Sequence, residues 1–201
     1  MIPDIIVIKI LKFVTSQIYN WLRVHSAWES KVSGIQMQVL CPGGDYRSEV
    51  VVALSSGLMG EDITCLTAYA DEKQMEELAK LLRNTVLIPW SKVKYITKIM
   101  EPLAESIRQI LIDRNIKYNF TQNNFFYMSS DTVIERFQNI KVPADVRVGR
   151  LDASHVETIG RNWPYFHEHH RRVIPALVAH NCTVGVFVGD VLVMHALESA
   201  T

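Results

Sequence analysis

The densest set of side chains able to do chemistry lies near the C-terminus, where His167-Glu168-His169-His170 is flanked by His155 and His180. Imidazoles three residues apart on a helix can share a metal ion. The run is not His-Glu-x-x-His, however, and neither a carboxylate nor a cysteine completes a tetrahedral set at workable spacing. It therefore reads as a solvated cluster, and no metal is expected. The cysteines Cys41, Cys65 and Cys182 are far apart and show no Cys-x-x-Cys spacing, against a disulfide framework or structural zinc. Cys182 has no His-plus-Asp arrangement beside it, so it is not read as a nucleophile. Gly43-Gly44 leads into a strand, whereas a phosphate-cradling loop must open a helix, so the pair reads as a turn.

The elements that would position such groups can be read from periodicity. Residues 35–41 and 49–54 alternate as strands around Pro42-Gly43-Gly44-Asp45 and predict a hairpin. Ile63 to Ala70 reads as a third strand. Asp71 with Gln74 has capping-box spacing, opening a helix that buries Met75, Leu78 and Leu82. From Ser91 the positions Val93, Ile96, Met100, Leu103, Ile107 and Ile110 step by three and four, predicting the longest helix, kinked or broken near 98–102 by Pro102. Residues 116–120 and 125–128 read as a hairpin around Asn123-Asn124 or as one bulged strand. Thr132 and Glu135 form a second capping-box pattern, opening a short helix that buries Val133, Ile134 and Phe137. Lys141 to Asp145, with Pro143, is the candidate linker, giving domains at 1–143 and 144–201.

Beyond the linker the order is β-α-α-β-β. A strand at 146–151 is followed by a helix capped at Ser154 that buries Val156, Ile159 and Trp163. A second helix then carries Pro175, and a hairpin turns on Gly189-Asp190. The fold class is α/β, with mixed α+β sheets. At 201 residues the chain can bury one sizeable core or two small ones. With Lys plus Arg and Asp plus Glu at 21 each, no basic excess points to nucleic acid.

The apolar start, Ile5 to Val14, is broken by Lys9 and Lys12 and is too short to span a bilayer. Asp4 precedes it and no arginine occurs before Arg23, so neither a signal peptide nor a transit peptide is supported. The run reads as a helix whose face Val7, Leu11, Val14, Ile18, Trp21 and Leu22 packs on the first sheet. Cysteine usage fits an intracellular, reducing compartment, with cytoplasm and mitochondrion left open.

Several motifs in order resemble the glycine N-acyltransferase-like branch of the GNAT superfamily, in its invertebrate form. They are Val148-Gly149-Arg150-Leu151-Asp152-Ala153-Ser154-His155, Trp163-Pro164, Gly185-Val186-Phe187-Val188 and Leu192-Val193, preceded by Leu40-Cys41-Pro42, Ile88-Pro89-Trp90 and Phe126-Tyr127-Met128. The resemblance runs from about residue 17 to the end. It implies a GNAT-like N-terminal half followed by the opening of a second, catalytic GNAT domain, which transfers an acyl group from acyl-CoA to the amine of a small acceptor such as an amino acid.

That chemistry requires a pyrophosphate cradle, conventionally Arg/Gln-x-x-Gly-x-Gly/Ala, at a helix N-terminus. It also requires a general base for the acceptor ammonium and a donor for the oxyanion. The cradle motif does not occur in this sequence. By register with the family, it and the base would follow Thr201. No catalytic or cofactor-binding residue is therefore assigned, and acyl-CoA is not expected to bind this chain tightly; Glu198 is the one carboxylate of the last strand that could substitute for the base. The resemblance places Trp163, Tyr165, Phe166 and His167 on the acceptor side, although aromatics that end a short helix are more often core or staple residues. Three readings follow: part of an acyltransferase, a shortened non-catalytic form pairing with a full-length relative through the open edge at 191–197, or an incomplete gene model.

Overall fold

The computed structural model describes residues 16–97, 99, 101–121, 130–163 and 170–197. The elements are α1 (Ser16–Glu29), β1 (Gln36–Leu40), β2 (Val51–Ser56), β3 (Thr64–Tyr69), α2 (Met75–Asn84), β4 (Val93–Ile96), α3 (Glu101–Asp113), α4 (Ser130–Phe137), β5 (Val146–Gly149), α5 (Val156–Asn162), α6 (His170–His180), β6 (Thr183–Val188) and β7 (Val191–Leu197). They form a mixed α/β architecture with two sheets. The first has order β1-β2-β3-β4 and the second β5-β6-β7.

In the first sheet β1, β2 and β3 are antiparallel and β4 joins β3 in parallel. β2 is buried on both faces, and its side chains divide by alternation as a pleated strand requires. Val52 and Leu54 point with Leu66 and Ala68 toward Leu78 and Leu82 of α2 and Leu103, Ile107 and Ile110 of α3. Val51 and Ala53 point the other way, onto Trp21 and Leu22 of α1.

α6 then joins the two halves. Its Val173, Ala176 and Leu177 pack with Val24 and Trp28 of α1 and with Cys65 of β3. Its Ile174 and Val178 pack with Leu151, Ile159 and Phe187 on the second sheet. The β-α-α-β-β order from β5 to β7 is as the sequence predicts, and Gly189 takes the hairpin turn at φ +57°.

Four expectations are corrected. The longest helix does not begin at Ser91, because Val93–Ile96 is a strand and the helix starts at Glu101. The break falls at the anticipated place, but it is a change from strand to helix. Pro102 lies in the first turn of α3, where its missing N–H has no intrahelical partner to lose. Second, Asp71 accepts from the Lys73 N–H and a 3-10 turn intervenes before α2, while the Gln74 carbonyl oxygen is buried without a partner, so the reciprocal half of that capping box is absent.

Third, α4 begins at Ser130, ahead of Thr132, and Val133, Ile134 and Phe137 are 41–59% exposed. Fourth, the cap before α5 is Asp152, with His155 closing the box, and not Ser154. The first of these reflects a double reading of one pattern. Val93 and Ile96 fit a helical period and also the short run of β-branched residues that a strand needs.

Residues 116–121 form no strand, and the rest of that predicted pair lies outside the described residues. So do Val7, Leu11 and Val14. Among the described residues no helix is long and apolar enough to cross a membrane.

Candidate functional site

In open α/β sheets, ligand crevices lie outside the carboxyl ends of parallel strands. The parallel pair here is β3 with β4. Partners run Thr64↔Val93, Cys65↔Tyr95 and Leu66↔Ile96, with a register shift after Thr64, and the last link is Thr97 N–H to Leu66 O at 2.9 Å. On its other side β3 pairs with β2 as far as Tyr69. Among the described residues the side-chain atoms Thr67 Oγ1, Thr97 Oγ1, Gln74 Oε1 and Trp90 Nε1 are buried without hydrogen-bond partners.

The helix that opens there is nevertheless no phosphate cradle. The Asp71 carboxylate already accepts from the Lys73 N–H at 3.1 Å, and Glu72, Glu76 and Glu77 add negative charge to the first turns. An incoming pyrophosphate would meet carboxylates where it needs free N–H donors. A surface depression of about 690 Å³ along α2 is lined by Lys73, Lys80, Glu76 and Glu77, an opposed set with no preference for one charge.

In the C-terminal half the structure gathers Asp152, Ser154 and His155. The Ser154 hydroxyl donates to Asp152 Oδ1 at 2.5 Å, and the Ser154 N–H donates to the same oxygen at 2.9 Å. The Asp152 N–H donates to His155 Nδ1 at 3.1 Å. A serine nucleophile would have to give its proton to the imidazole, but Ser154 Oγ is 3.5 Å from Nδ1 and gives it to the carboxylate. This trio is a helix cap.

The Ser154 hydroxyl and N–H, more than the nearby His155, hold the Asp152 carboxyl below its ordinary range. The sign follows. The folded pKa is depressed, so the cap's contribution is complete above the unfolded carboxylate value of about 3.9 and is lost as pH falls through the lower folded value. Protection of the amides in the first turn of α5, measured against their intrinsic exchange rates at each pH, should fall on acidification below about pH 4. Asp152→Ala should show fast exchange at all pH values; an unchanged acid profile in that variant would contradict the assignment.

Beside the cap lies a groove of about 440 Å³ between Arg150–Ala153 and the face of α6 bearing Pro175, Val178 and Ala179. Trp163 sits at the C-cap of α5, partly buried against the Leu151, Ile159 and Phe187 cluster. Tyr165, Phe166, His167 and His169 lie outside the described residues, and His170 opens α6. Among the described residues no group of His, Cys, Asp or Glu is placed to hold a metal ion. Cys41, Cys65 and Cys182 form no disulfide. Burial alone pushes the Cys65 thiol up to about 12, which makes it chemically inert.

One constellation is not anticipated from the sequence. His25 Nδ1 lies 2.7 Å from Ser55 Oγ, both groups are buried, and the imidazole stacks on Trp21 with ring centroids 4.0 Å apart. Trp28 donates its indole N–H to Asn181 Oδ1 at 2.7 Å. The available signal was the spacing of Trp21, His25 and Trp28, which puts His25 on the buried stripe of α1. With both partners sealed from solvent, the Ser–His pair specifies packing between helix and sheet and offers no route to a substrate.

No protein-family model matches the chain, and no curated protein does. Among solved structures, a Drosophila protein determined by X-ray crystallography is similar, with a TM-score of 0.69 at 15% sequence identity over 96% of this chain and 72% of that one. This likeness establishes a shared fold.

Proposed function

We propose that this chain belongs to the glycine N-acyltransferase-like branch of the GNAT superfamily, whose reaction moves an acyl group from acyl-CoA to the amine of a small molecule or amino acid. The observation that carries the reading is the order of matched motifs along β5-α5-α6-β6-β7, on elements that occur in the corresponding sequence. The N-terminal mixed sheet, with β4 parallel to β3, supports a GNAT-like first half. A division into 1–143 and 144–201 follows from the same reading; among the described residues, strands on the two sides of residue 144 share no sheet, although α6 packs on both. The family's placement of Trp163, Tyr165, Phe166 and His167 beside the acceptor is retained. A reducing compartment, cytoplasmic or mitochondrial, suits the reading.

The 201 residues contain no cradle motif, and the α2 N-terminus is occupied by the chain's own carboxylate. This chain should therefore give no saturable thermal shift with acetyl-CoA or benzoyl-CoA. A clear shift, reversed by truncated analogues, would show that the cradle is present after all. The family reading itself is tested by reading the transcript beyond Thr201. A continuation carrying Arg/Gln-x-x-Gly-x-Gly/Ala should yield a protein that acylates small amines, and failure of that protein to turn over any acyl-CoA overturns the proposal.

A second reading has its own support. Among the described residues β7 is an edge strand, and Val191 and Val193 are exposed on it. An apolar edge invites strand addition, so a non-catalytic form could pair with a full-length relative there. A clean monomer in size-exclusion chromatography at high concentration, with no retention of the relative, would count against it.

A further inference from the structure

The groove of about 440 Å³ beside the α5 cap is walled by apolar side chains on both sides. Along α6, Pro175 and Ala179 lie one turn apart on the solvent side, with the buried Val178 at the floor between them, while Val173, Ile174 and Leu177 are taken up by the two cores. A proline in a helix interior is costly. Here its ring is exposed and forms part of one wall. Leu151, Ala153 and Val156 line the other wall, and the short side chains of Ala153 and Ala179 leave the gap unfilled. Its volume falls within the roughly 300–1,000 Å³ of small-molecule sites, which are likewise mostly apolar with a few polar groups to orient the ligand.

Two charged side chains, Asp152 and Arg150, stand at this groove, and they differ in what already holds them. Asp152 Oδ1 accepts from the Ser154 N–H at 2.9 Å and from the Ser154 hydroxyl at 2.5 Å, and it lies 2.9 Å from His155 Nδ1. Its charge is taken up by the cap. Arg150 is exposed, and among the described residues its guanidinium makes no hydrogen bond or ion pair.

We propose that this groove binds a small apolar monocarboxylate, with the hydrocarbon body on Leu151, Val156, Pro175 and Val178 and the carboxylate on the Arg150 guanidinium. The fork of a guanidinium matches a carboxylate through two parallel N–H···O bonds. An ammonium would be repelled by Arg150 and would find the Asp152 oxygen Oδ1 already bonded. The site is also separate from the acceptor side placed at Trp163 to His167. The described chain leaves at Trp163 and re-enters at His170, whereas the groove lies against the last turns of α6, about 12 Å along the helix from His170. The proposal therefore does not rest on the acyl-transfer reading, and its test needs no acyl-CoA.

The test titrates the full chain with hexanoate at low ionic strength and follows the backbone amide shifts, with hexylamine and hexanol as probes of the same tail. Hexanoate should shift the amides of Ala153, Val156, Val178 and Ala179 saturably and bind more tightly than either probe. Arg150→Met keeps the aliphatic stem and should weaken hexanoate at least tenfold, as loss of hydrogen bonds to a charged group does, while leaving hexanol unchanged. Ala179→Phe fills the groove and should abolish binding of both. Each variant replaces an exposed residue and is checked for native far-UV circular dichroism before titration. Tighter binding of hexylamine assigns the groove to amines held by Asp152 and overturns the proposal. Equal affinity of hexanoate for the native and Arg150→Met chains, or no saturable shift of the groove amides, overturns it as well.

Discussion

Trp28→Ala should cost about 3–5 kcal/mol of unfolding free energy, as large aromatic deletions from packed cores do. The indole is 1% exposed and sits where α1 of the first half meets α6 of the second, in a cluster with Val24, Val173 and Leu177. Deleting it removes apolar area from both halves at once and leaves a hole that neither sheet can close alone. It also removes the 2.7 Å bond to Asn181 Oδ1.

Trp28→Phe separates the two contributions. It keeps most of the ring but loses the N–H, at about 0.5–1.5 kcal/mol for the net contribution of one hydrogen bond. Urea unfolding followed by probes in each half would measure both. The Ala variant should lower the midpoint and let the half from β5 to β7 melt before the first sheet. A loss under about 1 kcal/mol, or transitions that remain coincident, would mean that α6 is not held by Trp28.

The second large effect is Gly57→Ala, expected to destabilise by about 3 kcal/mol or more, from backbone strain together with overpacking. Gly57 follows β2 at φ +86°, and a Cβ there would lie 1.9 Å from the Gly34 carbonyl oxygen and 2.8 Å from its carbon. The Gln36↔Ser56 pairing places both loops at one end of the first sheet, so the obstacle is main chain and cannot rotate away. Gly43→Ala is the control: it is also in the left-handed region, at φ +58°, but a Cβ would meet nothing within 4 Å. It should cost only the conformational term, about 1 kcal/mol. Equal midpoints for the two variants in thermal unfolding would refute the backbone contact.

Neither effect is visible in the sequence, and the reason is the same for both. Each depends on residues far apart in the chain, Trp28 with Asn181 and Gly57 with Gly34. Periodicity shows that Trp28 lies on a buried stripe without saying what lies opposite it. The error at residues 91–110 has a more local cause. The apolar spacing satisfied helix and strand together, and Pro102 was the residue that could have decided between them, since a proline is at home in a first turn and costly in an interior. The cap of α5 was misplaced for a similar reason: Asp152 and Ser154 are both good N-cap residues, two apart, and only the bonds they make distinguish them.

The C-terminal histidines, His155 with His167 to His170 and His180, are legible in the sequence as a concentration of chemistry but not as a site. His155 is committed to a helix cap, His180 ends α6, and His167 and His169 lie outside the described residues. The sequence by itself determined the elements whose alternation or turn chemistry is unambiguous: the β1-β2 hairpin, the stripe of α2, and the order β5-α5-α6-β6-β7 with its turn at Gly189. These follow from local pattern because strand and helix periods differ. Tertiary structure alone decided that β4 pairs in parallel with β3, that α6 serves two cores, that His25 is sealed between α1 and the first sheet, and that Val133, Ile134 and Phe137 of α4 are exposed. A pattern of apolar residues states which face seeks burial; whether anything meets that face is set by contacts between residues distant in the chain.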